Sequence, residues 1–299
     1  MKRHRIEFTA SENPWAPTAV VAEINARLGA GLSIVGLAEQ TGGTSSAAFV
    51  EWPDGRPAAL TRTLASAGRM RQTAEVLELA RSKGIPVPQY QLITELSDGY
   101  VAVVQERMSG RHVYDGEPEA VDTIVAENER FAGLLAGRPD VEPPEAFPLG
   151  RGADYGVWEQ TLGGYDGHTR QLLRLIRVLD GTVPYEMGGD DLVHTDYTFG
   201  NILFDDSGRV SGIVDWNHGV GRGDRRYALL ALRLGSVGRR LRPAASARVE
   251  EHLSRLDPEL LRIYQAHWLV HAVHESIRKG FSGGRIQADA EAAEEFLLR

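Results

Sequence analysis

The chain changes character once, near Gly110. Before that point it is built from short apolar runs cut by turns, and after it mostly from longer helical patterns. Leu32–Leu37, Ala47–Trp52 and Pro57–Thr63 read as strands, the last two joined by the turn Pro53-Asp54-Gly55-Arg56. Ser66–Ser82 places Met70, Ala74, Leu77 and Ala80 on one helical face, and Gly84-Ile85-Pro86-Val87-Pro88 cannot continue it. Tyr90–Leu96 and Gly99–Glu106 are two further strands. Glu119–Leu135 and Val157–Leu179 read as helices, Leu192–Trp216 as a short strand–loop–strand region, and the chain from Tyr227 onward as mainly helical. The pattern predicts an α+β chain of two lobes. Residues 1–110 form five antiparallel strands with one helix inserted after the third, and residues 111–299 form a mainly helical lobe.

A length of 299 residues suits two such lobes. With 33 basic and 41 acidic side chains the net charge is −8, which argues against a general nucleic-acid binder. Cysteine is absent, so disulfides, thiolate catalysis and Cys-based zinc sites are excluded and a reducing cytoplasm is the expected setting. No stretch approaches the ~20 apolar residues of a membrane span. The only lysines are Lys2, Lys83 and Lys279, so any phosphate-binding cation is expected to be arginine. The sequence carries no signal of oligomeric state.

The chemistry concentrates in Leu192-Val193-His194-Thr195-Asp196-Tyr197-Thr198-Phe199-Gly200-Asn201-Ile202 and in Ile213-Val214-Asp215-Trp216. Apolar strands on either side fix the backbone, so polar residues between them can be held rigidly. Asn201 and Asp215 offer hard oxygen ligands of the kind that hold Mg²⁺ against phosphates. Asp196, five residues before Asn201, is left to orient an incoming hydroxyl and take its proton. Phosphoryl transfer needs that division of labour, because its catalysis is mostly positioning and charge neutralisation.

The His-x-Asp-x-x-x-x-Asn spacing followed by Asp215-Trp216 resembles the aminoglycoside phosphotransferase and choline kinase branch of the protein-kinase-like superfamily. The strand order, Ile85-Pro86-Val87-Pro88 and Gly221-Arg222-Gly223-Asp224 extend the resemblance from about Leu32 to Leu232. It implies a two-lobed kinase-like fold, ATP or GTP with Mg²⁺, and a small hydroxylated acceptor. An antibiotic such as an aminoglycoside comes first, with choline, homoserine or a sugar as the metabolic alternative. A non-catalytic nucleotide-binding protein is the reading from another class; Asp196, Asn201 and Asp215 are all present, which speaks against it.

The resemblance also implies roles elsewhere. Gly42, Gly43, Thr44 and Ser45 lie where kinases cover the nucleotide phosphates. The third strand should carry a cation, and Arg62 supplies it in place of the usual lysine. Glu75 is the candidate acidic partner of Arg62, although counting back from Gly84 puts Thr73 where the family often has the acid. Glu106 and Met108 would read the base through backbone groups. His194 would support the loop rather than act on substrate. The acceptor pocket would draw on Trp216, His267, Trp268, His271 and Glu275. His267, His271 and His274 share a helix face, but one straight helix rarely supplies three convergent metal ligands.

Overall fold

The computed structural model describes residues 16–38, 47–113, 117–144, 155–179, 187–234, 242–278 and 280–298. Five strands, β1 (Ser33–Leu37), β2 (Ala48–Glu51), β3 (Pro57–Thr63), β4 (Tyr90–Glu95) and β5 (Val101–Glu106), form one antiparallel sheet in the order β1-β2-β3-β5-β4. Helix α1 (Pro17–Leu28) precedes the sheet, and α2 (Ala67–Ser82) is inserted after β3. Ser66 caps α2, its hydroxyl accepting the Arg69 N–H at 3.2 Å.

The two faces of the sheet separate by residue parity, as the period of a strand requires. Val20, Val21 and Ile24 of α1 pack with Ala48, Val50, Ala58, Leu60, Ala102 and Val104. On the other face Ala67 and Met70 of α2 pack with Val101 and Val103. Side chains at 58, 60 and 62 therefore face α1, while 59, 61 and 63 face α2. That assignment decides the fate of Arg62 below.

Beyond β5, Gly110 has φ 128°, and a Cβ there would meet the Ser211 hydroxyl at 2.3 Å and the Phe204 carbonyl at 2.9 Å, so only glycine fits. The chain then contributes β6 (Arg111–His112) to a small antiparallel sheet with β8 (Ile202–Phe204) and β9 (Val210–Ile213). A two-stranded ladder pairs β7 (Asp191–Val193) with β10 (Gly221–Gly223). Helix α3 (Pro118–Glu129) is shorter than the expected Glu119–Leu135 and continues as turns. The expected helix over 157–179 is two, α4 (Tyr155–Tyr165) and α5 (Gly167–Leu179), with α6 (Leu229–Leu234), α7 (Pro243–Leu253), α8 (Pro258–Arg278) and α9 (Gly283–Leu298) following. Asp166 makes the break. Its carboxylate accepts the Thr169 N–H at 2.8 Å, and the Thr169 hydroxyl accepts the Asp166 N–H at 3.1 Å, a reciprocal cap that starts a new helix.

The chain divides into two compact units. The larger comprises 14–142 and 189–250, and so contains the five-stranded sheet, the turn at Gly110 and both small sheets. The smaller takes its described residues from 143–188 and 251–299. Its core is Leu162, Leu172, Leu173 and Ile176 packed with Ala266, Val270, Val273, Ile277, Ile286, Ala290, Ala293 and Leu297. No helix among the described residues is long and apolar enough to cross a membrane.

Candidate active site

The loop between β7 and β8 is anchored by its apolar residues. Leu192, Val193 and Ile202 are fully buried at its ends, and Tyr197 and Phe199 plug its middle into the core. The Tyr197 hydroxyl donates to the Ile124 carbonyl at 3.0 Å, and its ring meets Phe131 edge-on at 6.1 Å. Held this way, the loop presents Asp196 and Asn201 to each other. The Asn201 Nδ2 donates to the Asp196 carbonyl at 2.8 Å and to Asp196 Oδ2 at 2.9 Å. With the nitrogen so committed, the side-chain oxygen of Asn201 is the atom left for a cation, and Oδ1 is the oxygen of Asp196 left for a hydroxyl.

His194 ties this loop to the strand end that carries Asp215. Its Nδ1 accepts the Asp196 N–H at 3.1 Å, so its Nε2 carries the proton donated to the Val214 carbonyl at 3.0 Å. The ring is buried against Trp216, 4.1 Å between centroids. Burial pushes the imidazole down to about 4, with the Val214 carbonyl and the charge of Asp196 opposing the shift in part. A neutral, doubly bonded imidazole holds geometry and moves no proton.

Asp215 follows β9, whose register is pinned by Ile213 N–H to the Pro86 carbonyl at 2.7 Å and Val214 N–H to the Asn201 carbonyl at 2.9 Å. Among the described residues it is the one non-glycine side chain with positive φ, 63°. Its carboxyl is pushed up to about 6, first by desolvation and then by the negative charge of Asp196, while His218 and the Asn217 hydrogen bonds act in the opposite sense. A carboxyl raised by burial and by a second carboxylate is one whose charge a hard divalent cation would satisfy.

The remaining sequence candidates divide. Gly42, Gly43, Thr44 and Ser45 lie outside the described residues. Arg62 is on the α1 face of β3, bonded to Asp98 at 3.1 Å with its guanidinium 4.2 Å from the centre of the Tyr100 ring. Glu75 is exposed and pairs with Arg138 at 3.1 Å, so the structure does not bring Arg62 and Glu75 together. Thr73 is the buried residue at that level of α2, its hydroxyl donating to the Arg69 carbonyl at 2.9 Å. The Glu106 side chain pairs with Arg81 at 2.6 Å, and the Met108 side chain packs over Gly212. Trp216 is 1 % exposed, its indole N–H donating to the Ile213 carbonyl at 2.9 Å, so it is core rather than pocket lining. On α8, in the smaller unit, His267 and Trp268 are buried, His271 lies 6.5 Å from His267 and 5.9 Å from Trp268 between ring centres, and Glu275 pairs with Arg278.

Sequence reasoning passed over Thr61, Thr63 and Asn217, which meet beside Asp215. The Thr61 hydroxyl donates to Asn217 Oδ1 at 2.9 Å, and the Thr63 hydroxyl to the Asn217 carbonyl at 2.7 Å. The signal was the strand period: 61 and 63 fall on the face opposite 62. Also on the α2 face, Tyr90 and Gln105 are strand partners whose hydroxyl and Oε1 are buried without a hydrogen-bond partner among the described residues. Burial and the charge of Asp215 push the Tyr90 phenol up, which places it in the field of the site.

The chain resembles known proteins in family and in fold. The profile described as "Phosphotransferase enzyme family" (APH) matches residues 38–251. Among solved structures, a thermostable mutant of aminoglycoside phosphotransferase APH(4)-Ia in its apo form superposes with a TM-score of 0.64 at 17% identity, over 93% of this chain and 98% of that one. Amicoumacin kinase hAmiN, in complex with AMP-PNP, Ca²⁺ and Ami, gives 0.67 at 14% identity over 95% and 94%. The GDP and kanamycin complex of APH(2")-IIIa gives 0.62 at 15% identity over 94% and 98%. At these identities the likeness is one of fold. No curated protein matches the sequence.

Proposed function

The chain belongs to the phosphotransferase enzyme family, and from that premise we propose that it moves the γ-phosphate of ATP or GTP to a hydroxyl of a small molecule, an aminoglycoside or related antibiotic first. The observation that carries the reading is the bonded pair Asp196–Asn201 on a loop whose Asn201 carbonyl accepts the Val214 N–H, next to Asp215. Similar folds are solved with hygromycin B, with kanamycin and, in an amicoumacin kinase, with Ami, and the net charge of −8 suits a cationic acceptor. Residues 1–110 would hold the nucleotide, and residues 111–299 would supply the chemistry and the acceptor site. A cytoplasmic setting suits both the nucleotide and a cysteine-free chain.

In this reading Asp196 Oδ1 accepts the acceptor hydroxyl and fixes its direction. The hydroxyl oxygen forms the new bond to the γ-phosphorus as the bond to the β–γ bridging oxygen breaks. The hydroxyl proton passes to Asp196, and the nucleoside diphosphate leaves. Mg²⁺, held by Asn201 and Asp215, would neutralise charge on the phosphates. His194 keeps the loop and the Asp215 strand end in register.

Purified protein with ATP and with GTP, against aminoglycosides, choline, homoserine and sugars, should release nucleoside diphosphate and add one phosphate mass to an acceptor. Asp196→Asn should lower kcat by on the order of 10²–10⁴ with little change in nucleotide affinity. A variant keeping more than about a tenth of the wild-type kcat, with chemistry rate-limiting, would remove Asp196 from the reaction. Nucleotide binding with no turnover of any acceptor would favour the non-catalytic reading.

A further inference from the structure

Asp215 does not set its own orientation. A carboxylate on a left-handed residue past the end of a strand needs something to hold it, and Asn217 does so. Its Nδ2 donates to Asp215 Oδ1 at 2.7 Å. Its backbone N–H bonds Asp215 as well, and its side-chain and carbonyl oxygens are tied to β3, through the hydroxyls of Thr61 at 2.9 Å and Thr63 at 2.7 Å. Asn217 is 7 % exposed, so these bonds run where water does not compete. The next turn is fastened as well. The Arg69 Nε donates to the His218 carbonyl at 3.1 Å and its Nη2 to the Val220 carbonyl at 3.3 Å. Between them Gly219, at φ 84°, has no room for a Cβ, which would meet Arg69 Nε at 2.5 Å.

Only a carboxamide can accept from one neighbour and donate to the other at this length. An aspartate would set a carboxylate against Asp215, and a leucine would bury the Thr61 hydroxyl unpaired. The side chain of β3 that reaches this point is a neutral threonine, and the nearest arginine in sequence, Arg62, is on the far face.

We infer that Asn217 is a positioning residue that holds the Asp215 carboxylate for a divalent cation, and that Thr61 and Thr63 couple it to the sheet, so that the sheet acts on the metal site through neutral hydrogen bonds rather than through a charged side chain. The inference rests on the metal role given to Asp215 above.

The test is calorimetric titration of the full chain with Mn²⁺ alone, and with a non-hydrolysable nucleotide in Mg²⁺ and in EDTA, each variant first checked by circular dichroism. Asn217→Ala should weaken Mn²⁺ binding and Mg²⁺-dependent nucleotide binding by about tenfold while leaving the EDTA affinity unchanged. Asn217→Asp, of equal size, should do at least as much. Thr61→Val should act in the same direction more weakly, and Thr61→Ser should restore wild-type values. A merely structural role would move the Mg²⁺ and EDTA affinities together. Unchanged Mn²⁺ and Mg²⁺-nucleotide affinities in folded Asn217→Ala overturn the inference; should that variant not fold, unchanged affinities in Thr61→Val overturn it instead. Wild-type protein that binds no Mn²⁺ and takes nucleotide equally in Mg²⁺ and EDTA overturns the metal role of Asp215 itself, and the inference with it.

Discussion

His194 shows how one buried ring links pH to stability. Unfolded, it titrates near the ordinary histidine value of about 6.5, and folded it is pushed down to about 4. The folded form therefore refuses a proton that the unfolded chain accepts. Its stabilisation is complete above the unfolded value and is lost as pH falls from there toward 4. Urea unfolding of the ligand-free protein should show wild type losing roughly 2–3 kcal/mol more than His194→Asn between pH 7 and 4.5. Parallel pH profiles would contradict that. Arg62 gives the opposite case, a charge that reads as functional and is packed as structure. Held by Asp98 and Tyr100 with 11 % of its side chain exposed, it should cost about 1–2 kcal/mol on change to alanine and leave nucleotide affinity as it was. A large rise in nucleotide KM would return it to the site. The sequence makes Arg62 the natural cation because it is the only basic residue of β3. Which face it takes depends on where α1 and α2 pack, and the alternating small residues Ala58, Ala59 and Leu60 do not say.

At the scale of elements, the five strands and the inserted helix are legible because each is bounded by its own local chemistry: Asp54-Gly55 in a hairpin, Ser66 at a cap, Gly84 and two prolines after α2. The Asp196–Asn201 loop is legible for a related reason, since polar residues at fixed spacing stand between apolar anchors. The break between α4 and α5 is not, because Leu162 and Leu172 through Ile176 keep helical spacing across it. The reciprocal bonds of Asp166 and Thr169, next to Gly163, Gly164 and Gly167, interrupt that run. Asp166→Ala should therefore lower unfolding free energy by about 0.5–2 kcal/mol, read from urea midpoints at constant slope. Asp166→Ser should recover most of it, and a neutral alanine variant would mean the break is imposed by packing alone. Asn217 is not legible for another reason: its role lies in contacts to β3, more than 150 residues away, which no local pattern encodes.

For the molecule as a whole, both compact units are discontinuous in sequence. The third of the smaller core that lies on α4 and α5 is completed by residues of α8 and α9. A chain ending at residue 250 keeps Leu162, Leu172, Leu173 and Ile176 but loses what covers them. It should bind a hydrophobic dye strongly and unfold without a sharp transition, whereas a fragment as cooperative as the full chain would show that the smaller unit needs no contribution from 251–299. The same interleaving has a consequence for synthesis. When α5 emerges, only α4 is there to cover its apolar face, and about 120 more residues must be made before α9 is complete. At ordinary rates of translation that is roughly 6–24 s of exposure, long compared with the folding of a helical hairpin. The nascent chain thus carries an exposed apolar surface while residues 189–250 of the larger unit are still being made.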